Sequence, residues 1–384
     1  MADLTCDIAI VGAGIIGTSI AWHLAKAGCT SVAVLEREPN PGMGSTAKAA
    51  GGIRAQFESR INVELSALSI PAFERFPKEL GSDVVFNQAG YLWMTNRAAD
   101  MKAFEANVKQ QRGFGLDVKL IDRREIERLA PYVRSDDLVG GTFHAKDGYA
   151  PPADFVMGYF KESKRMGVKY FTDSPVTGAA VKDRRVVALR TPSGELRAER
   201  VVIAAGDWSK AIGAMIGVEI PIEPVRRQCL VTHPIREGMK HPIPMTIDYA
   251  TGIYMHSESG GVLIGLADKN EPPSFNENAD PDFIAKIVEL AMARVPLLES
   301  SSILTQWGGL YEVTPDHHPI ISNVPPLQNV TLAAGFSGHG VMHAPATGQV
   351  VAEMLLGKKT TLDLSSLRFT RFREGCMIHE SHVI

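Results

Sequence analysis

The sequence predicts an α/β fold, α+β overall: a Rossmann-like dinucleotide-binding domain interleaved with an antiparallel-sheet domain. Three observations predict it. A βαβ unit with G-x-G-x-x-G spacing opens the chain, a second buried strand runs into a glycine turn at 200–206, and β-rich blocks separate the βαβ-like pieces. In the first unit, residues 8–11 are a short apolar run that reads as a parallel strand, and 15–26 take helical spacing. A second apolar run, 31–35, ends at Glu36. Each part has a physical task. Gly12 allows the tight turn, Gly14 lets a pyrophosphate approach the backbone, and Gly17 lets helix and strand pack closely. Ile15 and Ile16 open a helix whose free N–H groups and positive end suit that pyrophosphate. Glu36 lies 22 residues after Gly14 and can accept both hydroxyl protons of an adenosine ribose. Arg37 follows it.

The chain has 384 residues, enough for two domains. With 45% hydrophobic and 22% charged residues, it can form a substantial core and is not a disordered chain. A net charge of −3 argues against nucleic acid as the main partner. Cys6, Cys29, Cys229 and Cys376 are far apart, so neither a disulfide framework nor a metal site is expected. A reducing, cytoplasmic setting fits them. The N-terminus has no basic stretch and enters the first strand at once, unlike a signal peptide. No apolar run is long enough for a transmembrane helix.

After Glu36 comes a loop rich in small residues. It holds Gly44, Ser45 and Thr46, then Ala50, Gly51 and Gly52, and lets backbone come close to something flat. Arg54 is the one fixed charge between Gly51 and Phe57. Residues 61–80 read as a helix broken near Pro71, 84–86 and 91–94 as strands, 98–112 and 123–129 as helices, and 138–144 as a strand. A helix at 152–166, a strand at 168–171 and hairpin strands across 176–190 follow. The buried strand at 200–206 then leads into a helix at 209–216. Strands return at 225–233, 251–256 and 261–265, a helix fills 282–294, and a long strand covers 303–313. A strand ending at Gly335, a glycine-rich turn and a helix to Leu356 close the pattern; 370–384 has no period and reads as a tail. The domain division expected is 1–83, 150–220 and 318–384 for the nucleotide-binding part, with 84–149 and 221–317 forming the other sheet. A cleft between them is the expected site.

Five segments now stand in order: Gly12/Gly14/Gly17 with Glu36, the 44–57 loop, Ala204-Ala-Gly-Asp-Trp208, Tyr311-Glu-Val-Thr-Pro-Asp316, and the 335–348 segment beginning Gly-Phe-Ser-Gly-His-Gly. In this order they resemble the FAD-dependent D-amino acid oxidase superfamily. Within it they look like the branch of sarcosine oxidase β subunits, dye-linked L-proline dehydrogenase β subunits and glycine oxidases. The resemblance covers essentially the whole chain. It implies FAD, with Val176, Ala205, Gly206, Trp208, Gly309, Gly335 and Ser337 joining the cofactor contacts. Gly338, His339, Gly340, Val341 and Met342 would lie against the flavin ring.

The resemblance also implies oxidation of an amino acid or N-substituted glycine at a C–N bond, giving an imine. The substrate carboxylate calls for a forked cation, and Arg54 is the first candidate. Tyr254, His256 and His339 are the other candidates for catalytic roles. Monomeric sarcosine oxidases carry a Cys before the Tyr of the Tyr-x-x-x-Pro-Asp motif and two pocket lysines. Here those places read Gly308-Gly-Leu-Tyr311, 261–265 without Lys, and Gly340-Val-Met342. The expectation is therefore non-covalent FAD and a dehydrogenase that passes electrons to a dye, quinone or partner flavin subunit, as part of a hetero- or homo-oligomer. The alternatives are a true oxidase making H2O2 and an FAD-binding assembly subunit without turnover.

Overall fold

The structure, a computed structural model, describes residues 4–235, 237–378 and 380. Among them, two eight-stranded sheets and one two-stranded ladder carry the fold. The first sheet has a parallel centre. Leu4–Val11 lies between Gly194–Ile203 and Val32–Leu35, with Val330–Ala334 and Lys169–Phe171 outside them. Chain order runs outward from Leu4–Val11 in both directions, so a switch point lies beside its C-terminal end. The central strand is buried on both faces, as a parallel sheet requires. Ile8 and Ile10 pack towards the helices Ile15–Lys26 and Gly340–Leu355, while Ala9 and Val11 pack with Ile212 and Leu332 on the other face. Those two helices approach closely because Gly348 carries no side chain: a Cβ there would meet Ser19 Oγ at 2.2 Å.

The second sheet runs Ile303–Val313, Glu223–Thr232, Gly261–Leu266, Tyr254–Glu258, Met245–Asp248, Tyr91–Thr95, Gly140–His144 and Lys119–Ile121. Its pairs are antiparallel except one. Met245–Asp248 runs parallel to Tyr91–Thr95 and joins the strands before residue 150 to those after 220. The sheet is therefore mixed at that seam.

Three local expectations need correction. The helix Arg60–Leu80 is continuous and holds both Pro71 and Pro77 inside it. Its buried stripe of Leu65, Ile70, Phe73 and Phe76 packs into the main core, and that burial outweighs the hydrogen bonds lost at the prolines. Residues 84–86 form no strand; Val85 is 69% exposed and finds no ladder partner, and only the single bridge Asn87–Tyr149 follows. The segment from 370 is not a loose tail where it is described. Arg371–Glu374 is a helical turn, and Arg371 is fully buried. Residues 379 and 381–384 of that expectation lie outside the described residues.

Candidate active site

The cleft opens where the parallel strands end. Gly12 follows Leu4–Val11 and its N–H donates to Leu35 O at 2.8 Å. The helix Ile15–Lys26 begins after Gly14 with no acidic residue in its first turn and no side-chain cap. Ile15 N–H donates to Thr46 Oγ1 at 3.2 Å. Gly14 borders open space, since a Cβ would meet only Thr46 Oγ1, at 3.5 Å. Gly17 does not line the cleft; its Cβ would lie 2.0 Å from Gly12 O, so it serves the helix–strand packing.

Glu36 follows the strand Val32–Leu35 at the cleft wall and is itself buried. Its Oε2 accepts from Ala13 N–H at 2.6 Å and its Oε1 from Glu38 N–H at 2.9 Å. Burial pushes its pKa up, with those amides opposing the rise. Arg37 lies over the Trp208 ring at 4.0 Å, and Trp208 stacks on Phe275 at 5.5 Å. Ile16, Gly44, Ser45, Val176, Ala205 and Gly206 complete this half of the wall.

The other half is formed by the C-terminal turn and the second sheet. The helix Gly340–Leu355 begins at His339, again with no side-chain cap and no acid in its first turn. Gly338, Gly340 and Val341 line the cleft from that side, with Ala50, Gly309, Tyr254 and Tyr311 opposite. A Cβ on Gly338 would meet the Tyr311 ring at 2.2 Å, and one on Gly265 would meet the Tyr254 ring at the same distance. Both glycines therefore make room for wall aromatics. Tyr254 Oη lies 3.2 Å from Cys229 Sγ. Burial pushes the Cys229 thiol up to about 11, which makes it a poor nucleophile.

Several expected residues stand behind the wall instead of on it. Gly51, Gly52, Gly335, Ser337 and Met342 shape the loops without lining the cleft. His256 is buried, with Nε2 at 2.8 Å from Ala50 O and Nδ1 at 2.8 Å from Ser257 O. It supports the loop that carries Ala50. Arg54 is 2% exposed and sits one layer behind the turn. Its guanidinium lies over Phe57 at 4.0 Å and near Trp93 at 5.3 Å. Nη1 donates to Gln56 O at 2.5 Å, and Nη2 lies 3.4 Å from His339 Nε2. Burial holds the His339 pKa well below its usual value, with the Arg54 charge as the next cause. A neutral His339 can accept from Arg54 through Nε2.

Two acids and a lysine that the sequence does not single out also reach the cleft. Asp207 and Glu312 both line the cleft, although 105 residues separate them in the chain. Asp207 lies inside Ala204-Ala-Gly-Asp-Trp208 and Glu312 inside Tyr311-Glu-Val-Thr-Pro-Asp316, which is the signal the sequence carries. Glu312 Oε2 accepts from Gly335 N–H at 2.9 Å, tying the long strand to the glycine turn. Asp207 Oδ2 accepts from Ser45 Oγ at 2.5 Å, while its buried Oδ1 has no partner among the described residues. Lys48 also reaches the wall, paired with Glu277 at 2.5 Å, so the cleft is not without lysine.

Burial, then the Asp207 charge, pushes Glu312 up to about 8; burial pushes Asp207 up to about 6. Glu312 stays open to the cleft on one side, and water there moderates its rise. Folding strengthens proton binding at both groups. Their stabilisation is complete below about pH 4 and is lost as pH rises through about 6 and then about 8. The melting temperature of the ligand-free protein is expected to fall over that window. Glu312→Gln should flatten the upper part of the fall; an unchanged profile would show that Glu312 is ionised throughout.

The arrangement suits a long, two-ended cofactor. Two uncapped helix starts face one cleft, Gly14 leaves backbone approachable, and Asp207 Oδ1 is a buried acceptor without a partner among the described residues. Comparison with known proteins agrees. The profile of the DAO family, described as FAD dependent oxidoreductase, matches residues 7–354. Mitochondrial dimethylglycine dehydrogenase of Rattus norvegicus is 30% identical over 95% of this chain. This chain spans about 45% of that protein's length. The crystal structure of L-proline dehydrogenase from P. horikoshii superposes with a TM-score of 0.92 at 31% identity, covering 97% of this chain and 99% of that one. Glycine oxidase from Geobacillus kaustophilus gives 0.86 at 25% identity, with 96% and 99% covered. With a matching profile over most of its length, this chain belongs to the FAD dependent oxidoreductase family, DAO.

Proposed function

We propose that this protein oxidises the C–N bond of an amino acid or N-substituted glycine, of the proline or sarcosine kind, to an imine. The observation that carries this reading is Arg54, a buried forked cation held between aromatic rings directly behind the turn His339 belongs to. The names of the similar dimethylglycine and L-proline dehydrogenases support it. FAD, when bound, supplies the two-electron acceptor. Glu36 would hold its ribose, the start of Ile15–Lys26 its pyrophosphate, and the 338–341 turn its ring, without a covalent link.

The chain's own work is to bind and orient. Arg54 would be the cation that meets the substrate carboxylate, from its place behind the turn of His339. Tyr254 and Tyr311 would wall the pocket and keep water from the reacting carbon. An amine that binds neutral needs no strong base, and the buried His339 and His343, the latter pushed down to about 3, are neutral at ordinary pH. We read residues 1–83, 150–220 and 318–384 as the FAD-binding domain and 84–149 and 221–317 as the substrate-binding domain. The membership of the described strands in the two large sheets supports that division. No helix among the described residues is long and apolar enough to cross a membrane. The setting is read as cytoplasmic, and the four free cysteines are in keeping with a reducing one.

The electron acceptor is read as a dye, quinone or partner flavin subunit, within a hetero- or homo-oligomer. A second reading is a true oxidase; it would draw on Lys48, which reaches the cleft wall as an ion pair with Glu277. Anaerobic visible spectra with L-proline, sarcosine, glycine and D-amino acids added in turn test both. One of these is expected to bleach the flavin band, and slow return of colour on admitting air identifies the dehydrogenase. Immediate recovery identifies the oxidase; a band that none of them bleaches would overturn the proposed reaction.

A further inference from the structure

The described C-terminal residues complete a buried network that ends at the Arg54 loop. Asp316 holds Arg371 at two points, Nε to Oδ2 at 2.8 Å and Nη2 to Oδ1 at 2.9 Å, with both side chains fully buried. Arg371 Nη2 also donates to His318 O at 2.8 Å, and Ile378 N–H to Asp316 Oδ2 at 3.4 Å. Two residues further on, Glu380 is 6% exposed and meets four donors at the start of the helix Arg60–Leu80. Its Oε1 accepts from Glu58 N–H at 3.1 Å. Its Oε2 lies 3.1 Å from both Ser59 N and Ser59 Oγ and 3.2 Å from Asn62 Nδ2. Ser59 Oγ is also 2.8 Å from His318 Nε2, and gives its single proton to one of the two acceptors.

Ser59 is the N-cap of its helix, yet its side chain caps nothing within it. The acceptor comes instead from 321 residues away in the chain. What it holds is the far end of the loop carrying Arg54. The near end is fixed by the ladder of Gly52–Ile53 with Gly148–Tyr149. The middle is fixed by Asp147, which accepts from Ala55 N–H at 2.9 Å and from Gln56 Nε2 at 3.2 Å. Arg54 Nη1 is aimed by the Gln56 carbonyl, so the direction of the guanidinium follows the backbone of 56–59.

We propose that Glu380 is a positioning residue for Arg54: by holding Glu58 and Ser59 it fixes the loop whose Gln56 carbonyl orients the guanidinium fork. This rests on the reading of Arg54 as the group that binds the substrate carboxylate. The Glu380 charge also reaches Arg54 and opposes the effect of burial on its cation. The C-terminal segment thus acts on substrate affinity without touching substrate.

The test titrates acetate into the FAD-loaded protein and follows the flavin spectrum, for the parent, Glu380→Ala, Glu380→Gln and Arg54→Lys, with thermal melts beside each. Glu380→Ala is expected to weaken acetate about tenfold with FAD content unchanged. Glu380→Gln should recover most of that, because its amide oxygen still accepts from the Glu58 or Ser59 N–H. If Glu380→Ala melts earlier but binds acetate as the parent does, Glu380 is a helix cap only and the proposal is overturned. If Arg54→Lys binds acetate as the parent does, the carboxylate reading itself fails and the proposal fails with it. Should Glu380→Ala not fold, Glu380→Asp, which draws the carboxylate back by one methylene, carries the same expectation and the same overturning result.

Discussion

Arg54→Lys is expected to lower kcat/KM for the amino acid substrate by about a hundredfold, almost all of it through KM. The cause is geometric. Arg54 is 2% exposed and its planar group lies over Phe57 at 4.0 Å. One nitrogen is committed to Gln56 O and another faces His339, which fixes the plane of the fork. A lysine keeps the charge but offers a point donor, loses the stacking on Phe57 and cannot grip both carboxylate oxygens. It also accepts a proton less firmly, and burial at this position already lowers the pKa of the arginine. Anaerobic stopped-flow reduction separates the effects: the apparent substrate Kd should rise while the limiting rate of bleaching changes far less. FAD content should not change, because Arg54 does not line the cofactor cleft. A Kd unchanged in Arg54→Lys would remove Arg54 from the carboxylate site.

How much of this was legible depends on whether the deciding chemistry is local. Gly12, Gly14 and Gly17 with Glu36 declare their geometry within one stretch of chain, and the structure places a βαβ unit there with the helix Ile15–Lys26 at the expected bounds. The long strand Ile303–Val313 was equally plain, its Trp307, Tyr311 and β-branched residues outweighing the glycine pair 308–309. Met245–Asp248 was not. It is four residues long, follows the proline-rich stretch 242–244, and exists because Tyr91–Thr95 offers it a parallel edge. Pro71 misled for the related reason that a buried face decides a helix more strongly than one missing N–H.

The site shows the same division. Tyr254 reaches the wall as its strand position suggests, but the alternation of the strand could not say that His256, two residues on, would be taken up by the Ala50 carbonyl. Asp207, on the helical turn Gly206–Trp208, and Glu312, on the strand Ile303–Val313, converge from distant parts of the chain, and no local pattern marks that meeting. Glu380 is the extreme case: an acid without local pattern, whose meaning lies in the two amides it reaches.

Gly12→Ala is expected to abolish FAD binding, and the control that isolates the cause is Gly28→Ala. Both glycines have positive φ, +104° at Gly12 and +89° at Gly28, so each substitution carries backbone strain of about 1–2 kcal/mol. Their surroundings differ. A Cβ at Gly28 would meet nothing within 4 Å, whereas one at Gly12 would lie 2.4 Å from Ala204 O and 2.9 Å from the Ala204 carbonyl carbon. Those are backbone atoms at the end of the neighbouring strand and cannot swing aside. To admit the methyl, the turns after Leu4–Val11 and Gly194–Ile203 must part, and both line the cleft. Gly12 O in turn packs under Gly17, so the start of the first helix would shift with it. The Gly28→Ala protein should therefore be yellow with a slightly lower melting temperature, and the Gly12→Ala protein colourless or insoluble. The ratio of flavin to protein absorbance reads both. Equal flavin content in the two variants would mean that the crossing of these turns is looser than the 2.4 Å approach implies.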